Sequence, residues 1–156
     1  MIQRIQTLYL AIATALSGFL LNGAIVRLVS DANETYELNF KGIYSVYNGD
    51  ITALIEKSLP LTLLLIVVPV LFFVAIFLYK RRKLQMRLTV FSSLLLIGAF
   101  LLMLYYIFYT GRKLEAELIF NIKLTFPIVG AIFGYLAFRN ILKDELLIKT
   151  YDRLRK

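Results

Sequence analysis

The sequence predicts an all-α integral membrane protein: a four-transmembrane-helix bundle with a small extracytoplasmic β-hairpin-like loop and a C-terminal helix projecting into the cytoplasm. Three observations carry that expectation. The 156-residue chain is 60% hydrophobic and only 18% charged, a composition too apolar for one ordinary soluble domain. Four stretches approach or exceed the roughly 18 to 20 apolar residues a helix needs to cross a hydrocarbon core. The basic residues also gather on one side of those stretches, the bias that orients membrane helices.

Span one is expected from about Ile5 to Leu28, span two from Leu59 to Tyr79, span three from Leu88 to Tyr109 and span four from Leu118 to Phe138, within one membrane domain covering residues 1–156. Spans two and three hold no charge, whereas span one has Arg27 near its end and span four has Lys123 near its start. The first span reads as retained rather than as a cleaved signal. Arg4 is the only base before it, and its apolar run continues beyond the usual 7 to 15 residues of a signal core.

The loop 29–58 is the largest segment expected outside the bilayer. Tyr36, Leu38 and Phe40 alternate with Glu37, Asn39 and Lys41, and a second β-prone run, Ile43 to Tyr47, ends at Asn48-Gly49-Asp50, a turn signal. A two-stranded piece follows, packed on helix ends because an isolated hairpin is marginal in water. Residues 51–57 are expected to turn helical, and Pro60 suits the first turn of span two.

Between spans two and three the polar connection is only about eight residues long, so these helices should be antiparallel neighbours joined by a tight turn. Pro69 removes a backbone donor inside span two and is expected to kink it. No helix breaker follows Gly134, so span four should continue through residues 139–156 as a projecting helix. On that extension Glu145, Lys149, Asp152 and Lys156 form a charged stripe, and Leu147, Tyr151 and Leu154 an apolar one.

Charge sets the orientation. The N-terminus, the turn Lys80–Arg87 and the tail from Arg139 hold twelve cations and three acids, net +9. The opposite loops hold six cations and seven acids, net −1. Both chain ends are therefore expected in the cytoplasm. The overall charge of +8 reads as a topology signal, and nucleic acid is not an expected partner because the bases lie beside spans rather than on a domain face.

The chain has no Cys and no His, which removes thiolate and imidazole metal ligands, Cys nucleophiles and the commonest general base. No cofactor, metal or catalytic residue is expected, and no enzyme. Gly130 and Gly134 form a small-residue face in span four that suits helix packing, as does Gly18. Asn22 in span one calls for a cross-helix hydrogen bond. Arg27 and Lys123 should snorkel to the outer interface, and Tyr79, Tyr105, Tyr106 and Tyr109 should anchor span ends. The cluster Lys80 to Lys83 could bind anionic lipid head groups or pair with Asp144, Glu145 or Asp152.

The opening MIQRIQTLYL, the RKLQ of Arg82 to Gln85, Asp144-Glu145 and the closing Asp152-Arg153-Leu154-Arg155 together resemble a family of small, uncharacterised four-span proteins, a domain of unknown function typical of Bacteroidota. The resemblance implies an inner-membrane location and no particular activity. It directs attention to Arg82, Lys83, Gln85, Asp144, Glu145, Asp152, Arg153 and Arg155 as a cytoplasmic surface, to which Lys80, Arg81, Leu147, Tyr151 and Leu154 are adjoined by their placement. The functional expectation is a non-catalytic scaffold or accessory subunit engaging a protein partner there; the alternative is a small oligomeric transporter or channel.

Overall fold

The computed structural model describes residues 2–30, 34–47 and 50–154. In chain order it contains α1 (Ile2–Phe19), β1 (Val26–Ser30), β2 (Thr35–Asn39), β3 (Gly42–Tyr47), β4 (Asp50–Lys57), α2 (Leu59–Phe77), a 3₁₀ turn at Leu78–Lys80, α3 (Arg82–Leu114), β5 (Ala116–Ile119), a second 3₁₀ turn at Ile122–Thr125, and α4 (Phe126–Leu154).

The helices pack in ring order, α1 against α2 and α4, and α3 against α2 and α4. Their buried positions repeat at alternate steps of four and three. In α1 and just past it these are Gln6, Leu10, Ala13, Ser17 and Leu20; in α2, Leu61, Leu65, Val68, Phe72 and Ala75; in α3, Gln85, Thr89, Ser92, Leu96, Ala99 and Met103. In α4 they are Gly130, Gly134, Ala137, Ile141 and Asp144. A mean spacing of 3.5 residues is the seam of helices crossing at small angles. Ser17, Thr89 and Ser92 tolerate this interior because each hydroxyl donates to a carbonyl of its own preceding turn.

The outward faces are apolar as well: Leu63, Ile66, Val70 and Phe73 on α2, Leu94, Ile97 and Leu101 on α3, and Ile128 and Ile132 on α4 are all exposed. A water-facing helix would put polar residues there. Three helical segments are long and apolar enough to cross a membrane, Leu59–Lys80, Arg82–Leu114 and Ile122–Leu147. The 18 residues of α1 rise about 27 Å.

The chain is not all-α. A five-stranded antiparallel sheet, ordered β4-β3-β2-β1-β5, closes the end of the helices away from the Leu78–Lys80 turn. Its inner face, Val26, Leu28, Tyr36, Leu38 and Ile43, joins Leu61 and Leu65 of α2 and Ala99, Met103 and Ile107 of α3 in one core. A second core, Leu10, Ala13, Val68, Phe72, Ala75, Leu96 and Ala137, lies among the helices alone.

The sheet corrects four expected boundaries. Span one was to reach Leu28, but α1 ends at Phe19 and Gly23, at φ +64°, turns the chain into β1. There Val26 and Leu28 point inward and Arg27 outward, a period-two pattern that no helix could bury. Span four was to begin at Leu118, but Leu118 and Ile119 belong to β5, paired with Leu28 and Arg27, and α4 starts at Phe126. The expected hairpin is present as β2 and β3, yet it is part of a wider sheet. Residues 51–57, expected as helix, lie in β4, where bulges leave Thr52 and Ile55 without opposite residues in β3. Asn48 and Gly49 lie outside the described residues.

The sheet rests on the extra length of α3. With 33 residues against the 19 of α2, α3 continues about 20 Å past its neighbour. Gly111 on that extension faces Leu28 of β1 and the Ala116 carbonyl of β5 closely enough that an added Cβ would lie 3.8 Å and 3.2 Å from them.

Candidate functional site

Among the described residues, buried polar side chains of long reach concentrate at the Leu78–Lys80 end. Gln6 of α1 donates from Nε2 to Oδ2 of Asp144 in α4, and both residues are buried. Gln85, one turn into α3, donates from Nε2 to the Ala75 carbonyl of α2 over 3.0 Å and is 3% exposed. One amide thus ties α1 to α4 and another ties α3 to α2, so the polar layer joins the ends of all four helices.

A cleft of about 440 Å³ opens beside this layer. Its walls are Gln6 and Thr7 of α1, Ile76 and Phe77 of α2, Tyr79 of the 3₁₀ turn, and Arg82 and Gln85 of α3. Among the described residues no acid lines it. Arg82 is half-buried, whereas Lys80, Arg81, Lys83 and Arg87 are exposed around it. Lys80 Nζ lies 6.0 Å from the Tyr79 ring centroid. None of these cations forms an ion pair among the described residues, where Arg27 with Glu37, on the distant sheet, makes the salt bridge seen. Asp144 accepts from Gln6 and forms no ion pair with the basic turn among the described residues.

The expected cytoplasmic surface therefore divides. Lys80, Arg81, Lys83 and Leu147 are exposed, Glu145 and Arg82 half-buried, and Gln85 and Asp144 buried. Tyr151, Asp152, Arg153 and Leu154 fall on the last turn of α4 but their side chains, and Arg155 altogether, lie outside the described residues. Leu142, Leu146 and Leu147 leave an exposed apolar strip on α4. A smaller cleft of about 400 Å³ shares Leu142 and Leu146 with this strip and carries Arg139, Asn140 and Lys143.

The packing residues also separate. A Cβ on Gly134 would stand 2.2 Å from Ser93 Oγ and 3.3 Å from the Phe72 ring, and one on Gly130 would stand 2.8 Å from Leu96 Cδ2. Both glycines face neighbours within the chain. Gly18 has nothing within 4 Å of that point. Asn22 is not in a span: it is exposed after α1, and its carbonyl accepts from Lys123 Nζ at 2.5 Å. Lys123 thereby binds a carbonyl just past the C-terminal end of α1, where a cation is favoured.

Gln6 was not among the candidate residues. The signal for it was the spacing Gln6, Leu10, Ala13, Ser17, which puts the amide on the inner seam of α1. No group of three or more Asp and Glu side chains comes together among the described residues. The arrangement offers hydrogen-bond donors and positive charge to a ligand. The sequence matches, over residues 2–154, the family described as Domain of unknown function (DUF4293). No curated protein matches it.

Proposed function

The chain belongs to the DUF4293 family across nearly its whole length, and since that membership carries no activity, we propose from its geometry that the protein is a multi-pass membrane scaffold or accessory subunit that is not itself catalytic. In this reading the Leu78–Lys80 end lies at the cytoplasmic face of a bacterial inner membrane and the sheet lies outside. The observation that carries it is the basic turn, whose cations lack ion-pair partners among the described residues. The exposed Leu142, Leu146 and Leu147 of α4 lie at the same end. Unpaired charge and exposed apolar surface together suit a protein partner. The alternative of an oligomeric transporter or channel draws no support from the helix interior, where Phe72 and Ser93 crowd Gly134.

The test is a photoreactive residue at Leu147, activated in intact cells, with captured proteins identified by mass spectrometry. A reproducible adduct with one protein, lost on Leu146→Asp, supports the scaffold reading. Capture of lipid alone, or of residues of the same chain, removes it.

A further inference from the structure

We propose that the cleft between α1 and the α2–α3 turn holds one anionic phospholipid, with Arg82 gripping the phosphate and the Ile76–Phe77 wall covering the start of an acyl chain. The inference rests on the membrane reading above and deepens it by naming a ligand.

Charge complementarity comes first. Among the described residues Arg82 is the cation that lines the cleft and no acid does, and Lys80, Arg81 and Lys83, its neighbours in sequence, are exposed. A guanidinium presents a planar fork of donors that matches a phosphate in a way an ammonium does not. Arg82 also opens α3, so the positive end of the helix dipole adds to the same field.

Further donors stand in the wall. A primary amide carries two N–H groups. Gln6 commits one to Asp144 and Gln85 commits one to Ala75, and neither amide has another partner among the described residues. Each has a second donor for a phosphate or glycerol oxygen. The Asp144 carboxyl is engaged by Gln6 and does not line the cleft.

The rest of the wall is apolar. Ile76 and Phe77 end α2, and Phe77 is 63% exposed beside the cleft. A soluble phosphate would leave that surface in contact with water. A phospholipid covers it, and the cleft volume of about 440 Å³ falls within the usual range for small-ligand sites, about 300 to 1,000 Å³.

The experiment is native mass spectrometry of the full chain in neutral detergent, titrated with phosphatidylglycerol or phosphatidylcholine. Both lipids offer Arg82 a phosphate, but the fixed positive charge of choline opposes Arg82 and the neighbouring bases, so phosphatidylglycerol should bind at least about tenfold more tightly. Arg82→Gln should remove that preference and Arg82→Lys should keep part of it, while Lys83→Gln, outside the cleft, should change it less than about threefold. Thermal unfolding verifies that each variant is folded. Equal affinity for the two lipids, equal losses in Arg82→Gln and Lys83→Gln, or displacement by glycerol 3-phosphate at lipid-like concentrations would each overturn the site. Alkaline extraction of cell membranes separates the two failures: release of the protein defeats the membrane reading, whereas a retained protein without lipid preference defeats the cleft alone.

Discussion

Gln6 and Asp144 stand 138 residues apart in sequence and meet in a buried hydrogen bond between the start of α1 and the last third of α4. The bond limits how far α4 projects, since the helix is still packed on α1 at Asp144. It also makes the terminal helices dependent on each other. Asp144→Ala would leave the Gln6 amide buried without an acceptor, at a cost of about 1–3 kcal/mol. Asp144→Asn keeps an acceptor oxygen and should cost less than about 1 kcal/mol. Chemical unfolding in detergent measures both, and the cycle with Gln6→Ala should give a coupling of about 1 kcal/mol or more. Additive losses would mean that the two side chains do not support each other.

The glycines of α4 give a ranking. Gly134→Ala sets a methyl against Ser93 Oγ, which is held by its own bond to the Thr89 carbonyl, and against the Phe72 ring. Overpacking of this kind costs about 1–3 kcal/mol. Gly130→Ala meets the far end of the Leu96 side chain, which can turn about its own bonds, and should cost less. Gly18→Ala meets open space and should be neutral or stabilising by up to about 1 kcal/mol. Thermal unfolding of the three variants tests the order, and Ser93→Ala should recover part of the Gly134→Ala loss.

Much of this was legible before any coordinates. The charge-free runs of α2 and α3 located both helices, and the alternation of Tyr36 and Leu38 with Glu37 and Asn39 located β2. The rest of the sheet was hidden for a physical reason. Val26–Ser30 and Ala116–Ile119 adjoin apolar runs long enough to absorb them, and although β1 also pairs with the nearby β2, the two strands meet each other across some 90 residues, beyond the reach of any local period. Asp144 looked like surface when read with its charged neighbours in the tail. Read with Gly130, Gly134, Ala137 and Ile141 at steps of four and three, it lies on the buried seam.

Gly42 places the sheet under tight steric control. At φ +156° its missing Cβ would stand 2.2 Å from the Glu56 carbonyl oxygen of β4. Backbone cannot yield as a side chain does, so Gly42→Ala should destabilise by about 3 kcal/mol or more. The loss should appear as early exchange of β3 and β4 amides, with α2 and α3 amides unchanged. Uniform exchange across sheet and helices would show that the two parts unfold as one unit.

Tyr36 gives the sheet a pH dependence. Its hydroxyl donates to Glu34, and that bond, then burial, then the nearby Glu34 charge hold its pKa above the ordinary 10.0. The folded state thus favours the neutral phenol. Its contribution is complete below pH 10 and is lost as the pH rises from there through the folded-state value. Stability should fall in that window, and Tyr36→Phe should flatten the fall. An unchanged slope in Tyr36→Phe would assign it to other groups.

Topology can be read with little background because the chain has no cysteine of its own. Tyr47 on β3 is 70% exposed at the sheet end, and Lys83 is exposed at the opposite end. On the membrane reading proposed above, the charge bias of +9 against −1 predicts a sheet outside. An impermeant maleimide added to spheroplasts should therefore label Tyr47→Cys at once and Lys83→Cys only after lysis. The reverse order would invert the protein and place the basic cleft in the outer leaflet. Immediate labelling of both would mean that the apolar helices do not separate two compartments, and the exposed Leu63, Val70 and Phe73 would then require a protein cover in place of lipid.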